Sequence, residues 1–273
     1  MKIGITVLLV LAAGLACVLI LNRPHLITID AEIPQNFPVD QFSHETFERL
    51  LRSYVDAVGD VDYERWHRNG ADRQSLDSYL AAVSRFSPIS TPERFLKQSQ
   101  KLAYWLYAYN AYVIKSIIDR WPLDSVTNVK APLEIVKGLG FFYQLRFLFG
   151  GESYSLYAVE NDIIRARYRD ARIHFVLNCG SESCPRLRPE LPVGADLESF
   201  LQQSAVDFVC DKKNVSIDHD KNRIVLSAIF KWFRTDFIND LVRRGLPSDR
   251  GLIDYVSSVA PAPLKGELAG TVG

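Results

Sequence analysis

The chain has 273 residues, of which 48% are hydrophobic and 11% aromatic. That suffices for a substantial core in one or two domains. Lys+Arg and Asp+Glu number 32 each, so the formal charge is zero and no global basic field draws in nucleic acid. No P-loop, dinucleotide-binding glycine pattern, H-E-x-x-H or G-x-S-x-G occurs, so no cofactor is expected.

The first segment in chain order, Ile3 to Leu21, is free of charge. As a helix it is roughly 28 Å long, about one hydrocarbon core. A cleaved signal peptide would end near its small residues Ala12, Ala13, Gly14 and Ala16. Here Val18-Leu19-Ile20-Leu21 continues the apolar run. Gly14 stands three residues before Cys17, where a lipoprotein signal places Leu. The expectation is a transmembrane signal-anchor over 1–22, with residues 3–21 in the membrane and the body on the non-cytoplasmic side. A cleaved signal is the alternative.

Residues 23–42 hold Pro24, Pro34 and Pro38 and read as a tether. A globular domain is expected over 43–262, and a loose tail over 263–273. Within the domain, Phe47, Leu50, Leu51, Tyr54, Val55 and Val58 recur at helical spacing until Gly59. A second helix is expected over Asp72 to Phe86. Thr91-Pro92-Glu93 reads as the start of a third, running to about Asp119. Its second half, Tyr104 to Lys115, is apolar or aromatic nearly all round, as in a buried helix.

Phe141 to Phe149, Gly150-Gly151 and Ser153-Tyr154 read as a hairpin. Ser155 caps a helix to about Tyr168, and Arg172 to Asn178 reads as a buried strand. Asp196 opens a helix to about Asp211. A second hairpin joins Val215–Ile217 to Arg223–Leu226, Ser227 caps a helix through Asp240, and a short helix lies near Leu252 to Val259. The class is α+β in one domain, with a small hairpin-rich sheet packed on helices, one of them fully buried and aromatic.

The stretch His174 to Pro189, HFVLNCGSESCPRLRP, concentrates the chemistry. On a strand His174 and Asn178 would share a face, roughly 13 Å apart, so each needs its own partner. Asn110, inside the aromatic helix, makes the same demand. One reading has Asn110, Asn178 and His174 tying helix, strand and loop together through main-chain bonds. A second has Cys179 or Cys184 as nucleophile, with His174 beside it, oriented by Asn110, Asn178 or Glu160. Arg186 and Arg188 would then favour the thiolate. A third joins Cys179 to Cys184 in a disulfide, as an exported domain permits. His174, Cys179 and Cys184 lack paired ligand spacing, so no metal is expected. Cys210 reads as a packed core thiol, and Glu160 with Arg165 as a part-buried ion pair or a solvated helix face.

Several segments resemble a known family. Tyr104 to Ile114 is similar to the "FWINAYNA" helix of the domain-of-unknown-function family DUF547, and His174 to Pro189 to its "HFALNCGSxSCPPLRP". Ser155 to Arg165 resembles its "SLDDIEHGILR", Ile229 to Phe237 its "IFKWYREDF", and Val61-Asp62-Tyr63 its usual opening. The likeness spans about Val61 to Phe237 and implies a fold unit rather than a reaction. Asn161 stands where the family pattern has His. A polar helix packed on a His-bearing strand is also similar, by fold analogy alone, to papain-like and transglutaminase-like architectures. Those place the nucleophilic Cys where this chain has Asn110. The expectation is therefore an envelope binding or scaffolding module whose partner is an unidentified protein or envelope ligand. The alternative is a cysteine-dependent hydrolase or acyl transferase.

Overall fold

The helix that the aromatic run predicts is the axis of the molecule. In the computed structural model, which describes residues 23–131, 134, 137–180, 184–247, 249 and 251–271, every residue from Leu102 to Ile114 is buried. The expected anchor over 1–22 lies outside the described residues. Among those residues no helix is long and apolar enough to cross a membrane.

Among the described residues, three α-helices precede that axis. Helix α1 (Glu45–Tyr54) buries Phe47, Leu50, Leu51 and Tyr54 on one stripe. It stops at Tyr54, short of Gly59, because Val55 turns extended and bridges to Val61. Helix α2 (Tyr63–Arg68) is capped by the Asp62 carboxylate, which accepts the Arg65 N–H. Helix α3 (Gly70–Arg85) is capped by Asn69 in the same way.

The central helix α4 (Gln98–Ile118) begins later than Thr91-Pro92-Glu93 suggests. Pro92–Arg94 forms only one 3₁₀ turn. Phe95 then dives into the core, and Arg94 reaches back to the Pro38 and Gln41 carbonyls. Three of the four buried tyrosines of α4 satisfy their hydroxyls on main-chain carbonyls: Tyr104 on Val83, Tyr107 on Pro192 and Tyr112 on Leu148.

Strand β1 (His25–Leu26) pairs in parallel with β2 (Leu145–Phe149). Part of the segment read as a tether is thus docked, with Ile27 and Ile29 packed on the core. Strand β2 pairs antiparallel with β3 (Glu152–Ser155). Their two-residue turn, Gly150-Gly151, has positive φ at both positions, which glycine adopts freely. Leu145, Phe147 and Phe149 alternate onto the core face. A π-helical turn, Leu139–Gln144, precedes β2 where the hairpin reading put strand.

Helix α5 (156–168) is capped by Ser155, as expected, and π-helical over Val159–Arg165. The strand expected over Arg172 to Asn178 is instead a 3₁₀ helix, Ala171–Phe175. The Asp170 carboxylate caps it by accepting the Arg172 N–H at 2.9 Å. A short apolar run carries no periodicity to separate strand from helix, and here the cap decides.

Helix α6 (Asp196–Cys210) follows. Cys210 at its end is exposed, not a core thiol. Strands β4 (Val215–Asp218) and β5 (Arg223–Leu226) form the second hairpin. Helix α7 (Ala228–Trp232) is capped by Ser227. It breaks at Phe233 before α8 (Arg234–Arg243), so one expected helix is two. Helix α9 (Leu252–Val259) matches its expectation. Residues read as a loose tail form α10 (Ala262–Thr271), pinned by buried Leu268. The result is a helix-rich α+β domain, with two small sheets and two apolar clusters among the described residues. Ile173 belongs to one cluster and Phe175 to the other.

Candidate functional site

Asn110 sits mid-way along α4 and is only 3% exposed. Its Nδ2 donates to the Val176 carbonyl at 3.0 Å, and its Oδ1 accepts the Asn178 N–H at 2.9 Å. The Asn178 side chain continues the relay. It donates to the Pro185 carbonyl at 2.9 Å and accepts the Gly180 N–H at 2.8 Å. Both carboxamides are thus spent on buried or half-buried main-chain groups. Gly180 has φ +74°, and a Cβ there would lie 2.7 Å from Ile117 Cδ1. The left-handed backbone and the close Ile117 methyl both favour glycine where this loop meets the end of α4.

Cys179 and Cys184 are joined in a disulfide, with Cα atoms 6.0 Å apart. The main-chain N–H of Cys179 also points at the Cys184 sulfur, at 3.1 Å. The nearby guanidiniums have acidic partners: Arg186 pairs with Asp211 at 3.8 Å, and Arg188 pairs with Asp207.

His174 belongs to a separate cluster. Its Nε2 lies 2.8 Å from Asp236 Oδ2. Its ring stacks on Phe233, with centroids 3.8 Å apart, and meets Phe237 edge-on. Asp236 also receives Arg165, at 2.6 Å from Nε and 3.0 Å from Nη2. Arg165 Nη1 donates to Asn161 Oδ1, and Asn161 Nδ2 to the Tyr157 carbonyl. The residue at the position where the family pattern has His therefore orients Arg165. The partner of Arg165 is Asp236, rather than the Glu160 expected from spacing.

The electrostatics follow from burial and pairing. Burial lowers the His174 pKa, and Asp236 only partly opposes it. At neutral pH the imidazole is therefore neutral and donates its Nε2–H to an ionised carboxylate. Burial pushes Asp236 up, but hydrogen bonds from His174 and Arg165 outweigh it and hold the group well below the usual carboxylate range. Glu160 is pushed up to about 7 by burial, against the pull of Arg165 and Tyr109. Its Oε2 accepts a long hydrogen bond, 3.4 Å, from the Tyr109 hydroxyl.

Two different cavities adjoin these groups. One of about 80 Å³ is lined by Cys184, Arg186, Arg188 and Asp207. The other, about 500 Å³, is lined by Arg165, Arg169, Asp170, Ile173, Asp236 and Arg243. The asparagines and the disulfide loop form one unit, and His174 with Asp236 another. Among the described residues no group of three or more His, Cys, Asp or Glu side chains could hold a metal ion.

Residues 94–209 match the family model described as protein of unknown function, DUF547. No curated protein and no solved structure matches the chain. The DUF547 span contains Asn110, Glu160, His174, Asn178, Cys179 and Cys184, but ends before Asp236. Local chemistry does not single out Asp236, one carboxylate on an aromatic helix. The signal that could have found it is its place in the motif from Ile229 to Phe237. Two further histidines are held in place: His44 lies 2.9 Å from Tyr79 Oη and His67 lies 2.8 Å from the Ile118 carbonyl.

Proposed function

We propose that the chain is a membrane-tethered binding or scaffolding module on the non-cytoplasmic side, with its ligand seat in the cavity beside Asp236. The observation that carries this reading is the disulfide between Cys179 and Cys184. A thiol attacks only as thiolate, and a bridged pair offers none. His174, which would stand beside a nucleophile, and Asn110 and Asn178, which would orient it, are engaged in structural bonds. A disulfide also suits an oxidising compartment outside the cytoplasm. The charge-free run at residues 3–21 supplies the tether.

Alkylation of the native full chain, followed by peptide mapping, tests the central point. Cys210 should label at once, whereas Cys179 and Cys184 should label only after reductant. Labelling of Cys179 or Cys184 in unreduced protein, with an apparent pKa well below ~8.5 and turnover of an activated ester, would establish the cysteine hydrolase or acyl transferase instead. Alkaline carbonate washing tests the tether. The full chain should stay in the membrane pellet, and a chain lacking residues 1–22 should leave it. Release of the full chain, with a new N-terminus beyond residue 16, would indicate a cleaved signal.

A further inference from the structure

The cavity beside Asp236 has an unusual charge arrangement. Arg165, Arg169 and Arg243 line it with Asp170 and Asp236. A second furrow of about 370 Å³ shares Arg169, Asp170 and Arg243, and adds Arg172, Arg244, Asp240 and Glu198. Across both, five guanidiniums face four carboxylates.

The carboxylates are already engaged. Asp236 is taken by Arg165 and His174. Asp170 is held by Arg172 at 3.0 and 2.7 Å, and Arg172 also grips Glu198. Asp240 is shared by Arg243 and Arg244. The surplus cation is Arg169. It is exposed, and its side chain makes no hydrogen bond or ion pair with another described residue.

The backbone presents Arg169 in a particular way. It ends helix α5 with φ +53°, in the left-handed region where glycine or asparagine is favoured. Its own carbonyl accepts a hydrogen bond from Arg243 Nη2. The two guanidiniums therefore border one cavity, with Arg243 tied to the carbonyl of Arg169 itself. An arginine presents a planar fork of donors that matches carboxylate or phosphate oxygens.

We propose that this cavity is an anion seat in which Arg169 and Arg243 hold the carboxylate or phosphate group of a small molecule. A volume of about 500 Å³ falls within the usual range for a small-molecule site, roughly 300–1,000 Å³. The seat rests on the binding-module reading and gives that module its ligand class. Asp236 and Arg165 form its inner wall, so the His174 cluster acts as a brace rather than as a reacting group.

Calorimetric titration of the full chain in neutral detergent at 150 mM salt tests this, with inorganic phosphate and citrate as separate probes. At least one should bind saturably, with Kd below about 1 mM. Arg169→Ala should weaken it about tenfold or more. Arg169→Gly relieves the positive φ while removing the guanidinium, so a matching loss there excludes a folding defect. The control Arg73→Ala, at an exposed α3 position, should bind as the parent does. Saturation by phosphate alone, or by citrate alone, identifies which headgroup the seat takes. Flat titrations with both probes, unchanged binding in both Arg169 variants, or an equal loss in Arg73→Ala would overturn the seat. Thiol labelling and ester turnover, which decide the binding-module reading, do not enter this measurement, so the two failures are distinguishable.

Discussion

The side-chain oxygen of Asn110 accepts the main-chain N–H of Asn178 from 68 residues away in sequence, at 2.9 Å. The same carboxamide donates to Val176, so one side chain closes one buried and one half-buried main-chain group. Asn110→Leu fills similar space but leaves both without partners. The expected loss is about 2–4 kcal/mol, read as a lower urea midpoint at unchanged slope. A variant within about 0.5 kcal/mol of the parent would mean that the relay contributes nothing.

Asp236 joins α8 to the 3₁₀ turn and to α5 through His174 and Arg165. Asp236→Ala should cost about 2–3 kcal/mol, because one buried and one part-buried donor lose a charged acceptor. In a double-mutant cycle with Arg165→Ala the losses should fall short of additivity, since each removes the same contact. Strict additivity would show that the two residues act independently.

Glu160 gives a pH dependence of definite sign. Its folded pKa, about 7, lies above its ordinary value of 4.5. Between those values the folded chain keeps a proton that the unfolded chain has shed. Stability therefore falls as pH rises across that window, and the penalty is complete above about pH 7. Glu160→Gln keeps an acceptor for Tyr109 and removes the ionisation. It should be more stable than the parent by on the order of 2–3 kcal/mol at pH 8, and equal to it at pH 4. Denaturation at the two pH values decides the matter, and equal stability at both would contradict it.

His44 acts in the opposite sense. Burial lowers its pKa from 6.5 to about 3, so the unfolded chain binds a proton that the folded chain refuses. The contribution is whole above about pH 6.5 and drains away as pH falls toward 3. In His44→Gln the stability lost between pH 6.5 and pH 4 should shrink by on the order of 3 kcal/mol. His174, lowered in the same direction, keeps some slope in the variant. An unchanged slope would mean that His44 is solvated in the folded chain.

Much of the fold is legible from local chemistry. The aromatic run of α4 forces burial because no face of it suits water. Gly150-Gly151 marks its hairpin because two successive residues need positive φ. Ser155 and Ser227 cap the helices they were expected to cap. Misreadings arise where a distant contact overrides the local pattern. Pro92 starts only a turn because Phe95 is pulled inward. The apolar run after Asp170 coils because a carboxylate caps it. The residues after Pro261 look loose, yet Leu268 has a core to enter.

The candidate site divides in the same way. Asn110 announces itself, since an amide inside an aromatic helix must find a partner. Asp236 does not, because a carboxylate on a helix ordinarily faces solvent and its histidine lies 62 residues earlier. Spacing suggests Glu160 for Arg165, one turn away. The bond goes instead to a residue 71 positions on, a choice that only the packing of α8 against α5 can make.

Strand β1 begins at His25, and His25–Leu26 is hydrogen-bonded into the sheet beside Leu145 and Arg146. Only residues 22–24 separate it from the apolar run ending at Leu21, a reach of about 10 Å. If residues 3–21 sit in a bilayer, as proposed, the body would have little leash to swing on. It would rest almost flush with the headgroups, that sheet edge turned toward the lipid, and any ligand would have to approach from the side away from the membrane.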